Sequence, residues 1–196
     1  KESSAASDVY KRQIESRWSP RGYDDTATIS SSEITEILDA GRWAPTWGRI
    51  QPVRFIVGLR GDDTFARLTS VLTRGNAGWA PRSSALILVS TTNDPDDAKA
   101  HTYGAVDLGL AVGQMLVQAR ALGLHGHPMA GFDAAAAVEA FGIPDDKRPL
   151  VLLAVGHLAE EASLPDDIRE RDTRERTRLP LTEVAFAGRW GEPYSG

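Results

Sequence analysis

The sequence predicts one α+β domain, residues 1–196, in which helices pack around a small sheet. Three runs, Val53–Gly58, Ala85–Ser90 and Pro149–Val155, are apolar or β-rich and have the length of buried strands. Longer segments between them show helical spacing, and strands and helices alternate irregularly along the chain. A chain of 196 residues suits one domain, and no internal repeat divides it.

Composition and charge exclude several kinds of function. The net charge of -5 argues against general nucleic-acid binding, which needs a basic surface. The absence of cysteine excludes disulfides, thiol nucleophiles and cysteine metal sites. The longest apolar runs, Ala85–Val89 and Leu150–Val155, are far shorter than the roughly 20 residues that cross a bilayer. Lys1–Ser7 is polar and has no apolar signal core, so we expect a loose leader, no membrane partner and a cytoplasmic location.

Apolar spacing and capping residues predict the helices. Ser30 and Glu33 have the spacing of a capping box, and Asp133 is placed to cap a later helix. Ile14 and Trp43 are among the apolar residues that we expect to face inward. The longest helix is apolar over more than one stripe, so we expect it to be buried on most sides. The predicted helices are Asp8–Arg17, 31–43, Asp62–Leu72, Ala98–Leu122 and Ala134–Phe141.

The remaining segments are predicted to be loops and a tail. Prolines and glycines indicate loops at Ala44–Pro52 and Thr73–Arg82, and mixed charge makes Glu160–Arg178 a solvated loop. The tail, Leu179–Gly196, is predicted to be extended and carries several large apolar side chains. Because such an arm must be buried against something, we expect residues 179–196 to pack against a second copy of the chain in a homodimer.

A short polar stretch, Arg17–Arg21, has the composition of an anion site. Pro20 disfavours helix at Ser19, so the stretch is expected to be extended. Side chains two apart in an extended chain point the same way, which places a guanidinium group on each side of the Ser19 hydroxyl. This set suits a phosphate, because arginine offers planar paired donors. Taken alone, five such residues also fit a solvated basic loop.

Other polar residues give weaker signals. His125 and His127 share one side of an extended segment, but no cysteine or carboxylate stands nearby at ligand spacing, so we expect no metal. The serines lack a His–Asp context, which argues against hydrolase chemistry. Single glycines such as Gly123 and Gly131 form no dinucleotide fingerprint.

Six segments stand in an order that is more specific than any one of them. They are Arg17–Arg21, Ala44–Pro52, Asn76–Ala80, the long helix with Asp107 and Gly109, Pro128–Asp133 and Arg176–Pro180. Together they resemble the motifs of the nitroreductase family of flavin mononucleotide (FMN) enzymes, over nearly the whole chain. The resemblance implies a small, mostly antiparallel sheet surrounded by helices. It also implies a homodimer that exchanges its extended C-terminal arm.

The resemblance implies a role for each matching residue. Arg17, Ser19, Arg176 and Arg178 would bind the FMN phosphate. Arg21 and Asn76 would meet the pyrimidine end of the flavin ring, where Arg21 would stabilise the negative charge that develops on reduction. The Ala130 N–H would face the reactive N5 atom, with Gly131 allowing close approach. No side chain would act as nucleophile or general acid. The other implied cofactor contacts are Trp18, Pro45, Thr46, Trp47, Arg49, Gln51, Pro128 and Met129.

Two residues of the loop before the first strand depart from the family pattern. Segment Ala44–Gln51 would reach the flavin of the partner subunit, so that each active site is shared. In that segment Arg49 replaces an asparagine, and Trp47 replaces a small residue. Arg49 would select an anionic substrate and Trp47 would narrow access to the ring. Alternatively, Arg49 forms a local salt bridge and Trp47 packs in the dimer interface.

The function implied is that of an FMN-dependent oxidoreductase. NADH or NADPH would reduce the flavin and leave, and a small-molecule acceptor would then be reduced at the same face. Candidate acceptors are nitroaromatics, quinones and unsaturated metabolites. One alternative keeps the fold but is a flavin-dependent dehydrogenase or oxidase, or an enzyme that consumes its flavin. A second alternative is a flavin-binding protein without catalysis.

Overall fold

The computed structural model describes residues 12–48 and 50–195, and its four-stranded sheet confirms the predicted α+β class. The strands are β1 (Arg54–Leu59), β2 (Ala85–Thr92), β3 (His125–Met129) and β4 (Lys147–Gly156). Their order is β1-β2-β4-β3, and every pair is antiparallel. Strands β1 and β3 therefore form the two opposite edges of the sheet. The proposed leader lies outside the described residues.

Six helices surround the sheet in the described part of the chain. They are α1 (Ser31–Arg42), α2 (Asp63–Ser70), α3 (Arg74–Ala77), α4 (Ala98–Ala121), α5 (Ala134–Phe141) and α6 (Asp166–Asp172). Residues 12–16 are helical as well, within the first predicted helix. The predicted loops Thr73–Arg82 and Glu160–Arg178 are partly wrong, because α3 and α6 lie in them. Helices of four and seven residues are too short to show a periodic apolar pattern. Within residues 12–48 and 50–195, no helix has the length and apolar character needed to cross a bilayer.

Side-chain caps fix the helix starts as predicted. The Ser30 hydroxyl accepts the Glu33 N–H at 3.2 Å, and the Glu33 carboxylate accepts the Ser30 N–H at 2.8 Å. This reciprocal pair satisfies two backbone donors that would otherwise have no partner. The Asp133 carboxylate accepts the Ala136 N–H at 3.0 Å at the start of α5.

The core lies on both faces of the sheet. On one face, α1 and α4 bury Ile37 and Met115 against Ile87 of β2. On the other face, Leu68 of α2 packs with Leu88, also of β2. Successive side chains of a strand point to opposite faces, so β2 is covered on both sides. The sheet is a buried middle layer, which leaves its edges and strand ends for function.

Several apolar residues are exposed where the sequence predicts burial. Ile14 is 62% exposed and Trp43 is 69% exposed, so both predictions are wrong for a single chain. Helix α1 ends one residue before Trp43, which therefore points away from the core. Tyr103 and Leu110 of α4 are also exposed, so this helix is buried along one side only, against the sheet and α1.

The C-terminal segment differs from the predicted extended arm. A 3-10 turn at Leu181–Glu183 begins it, and the chain then folds back so that Phe186 pairs with Pro193. The rings of Phe186 and Trp190 lie 5.0 Å apart. Trp190 is nevertheless 93% exposed. Within the described part of the chain, this segment pairs only with itself, and most of its apolar surface is exposed.

Candidate functional site

Three arginines from opposite ends of the chain converge at the start of the polar stretch. Partial burial lowers the pKa of Arg17, and the positive charges of Arg176 and Arg178 lower it further. Within the described part of the chain, no carboxylate forms an ion pair with any of the three. Converging cations without a counter-charge are favourable for a bound anion, which removes their mutual repulsion.

The three arginines differ in the donors that they leave free. Arg17 Nη1 donates to the Ser19 hydroxyl at 3.5 Å, and Arg178 Nη1 donates to the Thr177 carbonyl at 2.8 Å. Both terminal nitrogens of Arg176 donate to the backbone carbonyls of Glu15 and Arg17. Arg176 therefore ties the C-terminal segment to the polar stretch, a structural role that its spacing to Arg178 does not predict. Arg17 and Arg178 keep more donors for a ligand.

Asp172, at the end of α6, holds the other end of the polar stretch. Its carboxylate accepts the backbone N–H of Gly22 at 2.7 Å and that of Arg21 at 3.0 Å. The sequence predicts that Asp172 lies in a solvated charged loop. That prediction is wrong, because its carboxylate is held by two backbone N–H groups. Nothing in the local sequence marks this residue, because its partners lie 150 positions earlier.

A stack of aromatic rings supports the Arg21 side chain. Trp79 is buried between Tyr23, at 6.1 Å and nearly parallel, and His127, at 4.5 Å. The Arg21 guanidinium lies 5.9 Å from the Trp79 ring. Burial raises the pKa of Tyr23 well above its ordinary value, and the Asp172 charge adds to this shift. The sequence gives no role to Tyr23, and its position here depends on long-range packing.

Strand β3 holds the polar stretch from the inside. His127 Nδ1 lies 2.8 Å from the Pro20 carbonyl, and the Trp18 ring meets His125 edge-on at 6.1 Å. Burial, followed by the charges of Arg120 and His157, lowers the pKa of His125 to about 4. Burial also lowers the pKa of His127. Both histidines thus anchor the stretch in their neutral form near pH 7.

The segment after β3 meets the Asn76 loop, a contact that the sequence does not predict. Asn76 Nδ2 donates to the Gly131 carbonyl at 2.9 Å, and Thr73 Oγ1 donates to the same oxygen at 2.9 Å. A Cβ on Gly131 would lie 2.5 Å from Asn76 Nδ2. The absence of a side chain at Gly131 is therefore required by this contact within the protein, which the sequence analysis does not consider.

Ala130 presents its backbone at the exposed edge of the sheet. It follows Pro128 and the buried Met129 of β3, and the residue itself is exposed. Among the described residues, no acceptor is found for its N–H. A free backbone donor at this point fits the contact that the resemblance implies.

The remaining predicted contacts lie at the other edge of the sheet, in the loop before β1. The Trp47 N–H donates to the Asp107 carboxylate of α4 at 2.9 Å, and the Trp47 ring stacks on Tyr103 at 5.2 Å. Gln51 Nε2 donates weakly to the Arg42 carbonyl at 3.4 Å. Asp107 is only 3% exposed, and its role as an acceptor for this loop is not predicted from the sequence.

The predicted contacts in the loop before β1 border a cavity of about 520 Å³. Thr46, Gln51 and Asp107 line it together with residues of α1 and β1. Pro45 is exposed beside them, and Arg49 lies outside the described residues. The Trp47 ring stacks on Tyr103 on the exposed side of α4, a position that fits the alternative in which this tryptophan packs in a dimer interface.

The predicted residues thus form two groups. The β3-edge group contains Arg17, Trp18, Ser19, Arg21, Asn76, Pro128, Met129, Ala130, Gly131, Arg176 and Arg178. The β1-edge group contains Pro45, Thr46, Trp47 and Gln51. The strand register places both groups toward the same end of the sheet, since Met129 is level with Leu152, Leu88 and Ile56. Three strand spacings separate the two edges, which is roughly 14 Å.

Comparison with known proteins places this architecture. The chain matches the family model described as "Nitroreductase family" over residues 14–71 and 60–157. An uncharacterised 15.4 kDa protein of Mycolicibacterium smegmatis, encoded in the 5′ region of ask, is 47% identical over 149 residues, covering 72% of this chain and 99% of the relative. YdgI of Bacillus subtilis, provisionally named an NAD(P)H nitroreductase, is 28% identical over 187 residues, covering 76% of this chain and 88% of YdgI.

A solved structure shares this fold. A crystal structure described as an oxidoreductase containing FMN superposes with a TM-score of 0.83 at 31% identity, covering 92% of each chain. The family model spans most of the sheet and its helices, including the polar stretch and the segment after β3. This chain belongs to the nitroreductase family.

Proposed function

We propose that this chain is an FMN-dependent NAD(P)H oxidoreductase that reduces a small-molecule acceptor. The observation that carries the proposal is the convergence of Arg17, Arg176 and Arg178 without a carboxylate partner among the described residues. Such a cluster suits the phosphate of FMN. The related structure that contains FMN and the name of YdgI support the cofactor and the electron donor.

The residues of the β3 edge divide the work of holding the cofactor. Arg17, Ser19 and Arg178 would bind the phosphate through charge-assisted hydrogen bonds. Arg21 is held by its stack on Trp79 and by the Asp172 contact at its backbone, so its charge stays at a fixed position. A fixed cation stabilises developing negative charge without reorganising during the reaction.

The backbone supplies the other contact. The N–H of Ala130 is free among the described residues and would donate to the reactive edge of the ring. Asn76 is fixed by its hydrogen bond to Gly131, so the Asn76 loop and the segment after β3 are held together at this end of the site. When bound, FMN supplies the redox chemistry, accepting a hydride from NAD(P)H and passing two electrons to the acceptor.

The site is completed by a second copy of the chain in this proposal. The β1-edge group lies across the sheet from the β3-edge group, so one chain does not bring both to one ring. Helix α4 exposes Tyr103, Val106 and Leu110 along one side, and the C-terminal segment exposes Trp190. These apolar surfaces support a homodimer with shared active sites, in which residues 179–196 pack on the partner.

Spectroscopy of the purified protein tests this function. We expect a yellow protein whose flavin absorbance is bleached by NADH or NADPH without oxygen and restored by a nitroaromatic or a quinone. A protein that takes up no added FMN contradicts the proposal. A flavin-loaded protein that NAD(P)H does not reduce supports the dehydrogenase or oxidase alternative. Reduction without turnover of any acceptor supports the binding-protein alternative.

A further inference from the structure

A second pocket, of about 250 Å³, adjoins Arg21 on the β3 edge. Arg21, Arg82 and Arg171 line it together with Trp79, and Asp167 is the one acidic side chain in the lining. Three positive charges therefore face one negative charge in the lining, and a second carboxylate, that of Asp172, lies against the backbone of Arg21 and Gly22. None of the phosphate-binding residues proposed above lines this pocket, so its charge needs a separate explanation.

The three arginines of this pocket are not neutralised by the protein. Within residues 12–48 and 50–195, none of their guanidinium groups forms an ion pair. Neighbouring arginines behave differently: Arg169 pairs with Asp166, and Arg174 lies 3.6 Å from Glu170. Arg171 stands four residues after Asp167, a spacing that allows a pair on a helix, yet the two do not pair.

The pocket has one rigid aromatic wall. Trp79 is 3% exposed, and its indole N–H donates to the Gly75 carbonyl at 3.0 Å. The Arg82 N–H donates to the Trp79 carbonyl at 3.1 Å, which fixes the backbone of one arginine relative to this wall. Because Tyr23 and His127 cover its ring, Trp79 serves as a fixed wall, and the unpaired guanidinium groups supply the recognition of a small anion.

We infer that this pocket binds an anionic group, a carboxylate or a phosphate, on a small molecule that exchanges electrons with the flavin. The inference rests on the proposed function, because Arg21 borders both the pocket and the expected ring position. The group belongs either to the acceptor, as a carboxylate, or to NADPH, as the phosphate that NADH lacks. In this inference, Arg21, Arg82 and Arg171 select the anion, whereas the sequence predicts that Arg49 does so.

Two acceptors of similar shape test the inference. Nitrobenzene is neutral and 4-nitrobenzoate is anionic. With FMN-loaded protein and NADH, we expect Arg82→Ala and Arg171→Ala each to lower the ratio of kcat/KM for 4-nitrobenzoate over nitrobenzene about tenfold, as for one charge-assisted hydrogen bond. Arg169→Ala and Arg174→Ala are matched controls on and just after the same helix, because their charges are already paired.

A second arm identifies the source of the anion. If the donor carries it, the same two variants lower the ratio of kcat/KM for NADPH over NADH and leave the acceptor ratio unchanged. Calorimetric titration of oxidised, FMN-loaded protein with 4-nitrobenzoate and with NADP⁺, neither of which reacts with oxidised flavin, gives an independent readout. Unchanged affinities for both ligands in Arg82→Ala and Arg171→Ala overturn the inference. If the unaltered protein does not react with NADH or NADPH, the proposed function is overturned instead. The titrations then still show whether the pocket binds an anion.

Discussion

The two edges of the sheet carry different parts of the candidate site, and they are built to different degrees within one chain. At the β3 edge, the polar stretch is held by His127 of β3 and by Asp172 and Arg176 at and just after the end of α6, two segments far from it in sequence. At the β1 edge, the described part of the loop is fixed to α4 through Trp47 and otherwise lies beside an open cavity. One half is preorganised, and the other half faces an uncovered surface.

This difference explains how the family motifs divide. The β3-edge group contains the cations and the backbone donor, so it can recognise the charged and polar parts of a flavin by itself. The β1-edge group offers loop residues and the exposed side of α4, which suit contact with a second chain. Changes at the two edges should therefore have different consequences.

The largest effect is expected at the arginine cluster. Arg17→Ala or Arg178→Ala removes a charge-assisted hydrogen bond to phosphate, at a cost of about 1.5–3 kcal/mol, or roughly 10- to 150-fold in the FMN dissociation constant. Quenching of flavin fluorescence on binding measures this constant. Arg174→Ala is the control, since that side chain lies near Glu170 outside the cluster. Equal affinity in all variants would remove the phosphate assignment.

Acid should weaken the β3 edge through His125. Its pKa in the folded protein is about 4, below the ordinary 6.5, so the unfolded chain binds more protons between these values. Stability is therefore full above about pH 6.5 and declines as the pH falls toward 4, by about 3 kcal/mol at most. Urea unfolding at several pH values measures the loss, and His125→Phe should flatten the profile over this range. A wild-type profile that is already flat would contradict the shift.

The β1 edge should respond to removal of the buried carboxylate. Asp107→Ala leaves the Trp47 N–H without its acceptor, at a cost of about 1–3 kcal/mol, and should loosen the loop. Asp107→Asn keeps one acceptor oxygen and should lose less. The FMN dissociation constant and the free energy of unfolding are measured together. If only stability changes, the loop has no part in binding the cofactor.

An effect on the reduction potential, and not on affinity, separates Arg21 from the phosphate ligands. Arg21→Ala should lower the flavin reduction potential by about 30–60 mV, which corresponds to 1.4–3 kcal/mol for two electrons. Titration against a redox dye measures the potential, and Arg169→Ala is the control, because the charge of Arg169 is paired with Asp166. If the variant released flavin but left its reduction potential unchanged, Arg21 would act only in binding, as the phosphate ligands do.

Local patterns predict most of the elements of this fold. The capping box at Ser30, the cap at Asp133 and the apolar run of β2 each depend on residues close in sequence, and all three are present. Asp172 and Tyr23 could not be predicted, because their roles depend on contacts more than 100 residues away. Trp43 and Ile14 are exposed because a periodic pattern shows which side of a helix is apolar, whereas the surface that covers that side is set by tertiary or quaternary packing.

The division of the active site between two chains can be tested most directly by mixing two deficient variants. Arg17→Ala/Arg178→Ala impairs the β3 edge, and Asp107→Ala impairs the β1 edge. In mixed dimers, one of the two sites combines both intact edges. We expect each separately purified variant to bind FMN more weakly than the unaltered protein, and a co-refolded equimolar mixture to recover the unaltered affinity at about a quarter of the sites, as random pairing gives. A mixture that binds no more FMN than the average of its two components would contradict a site shared between subunits.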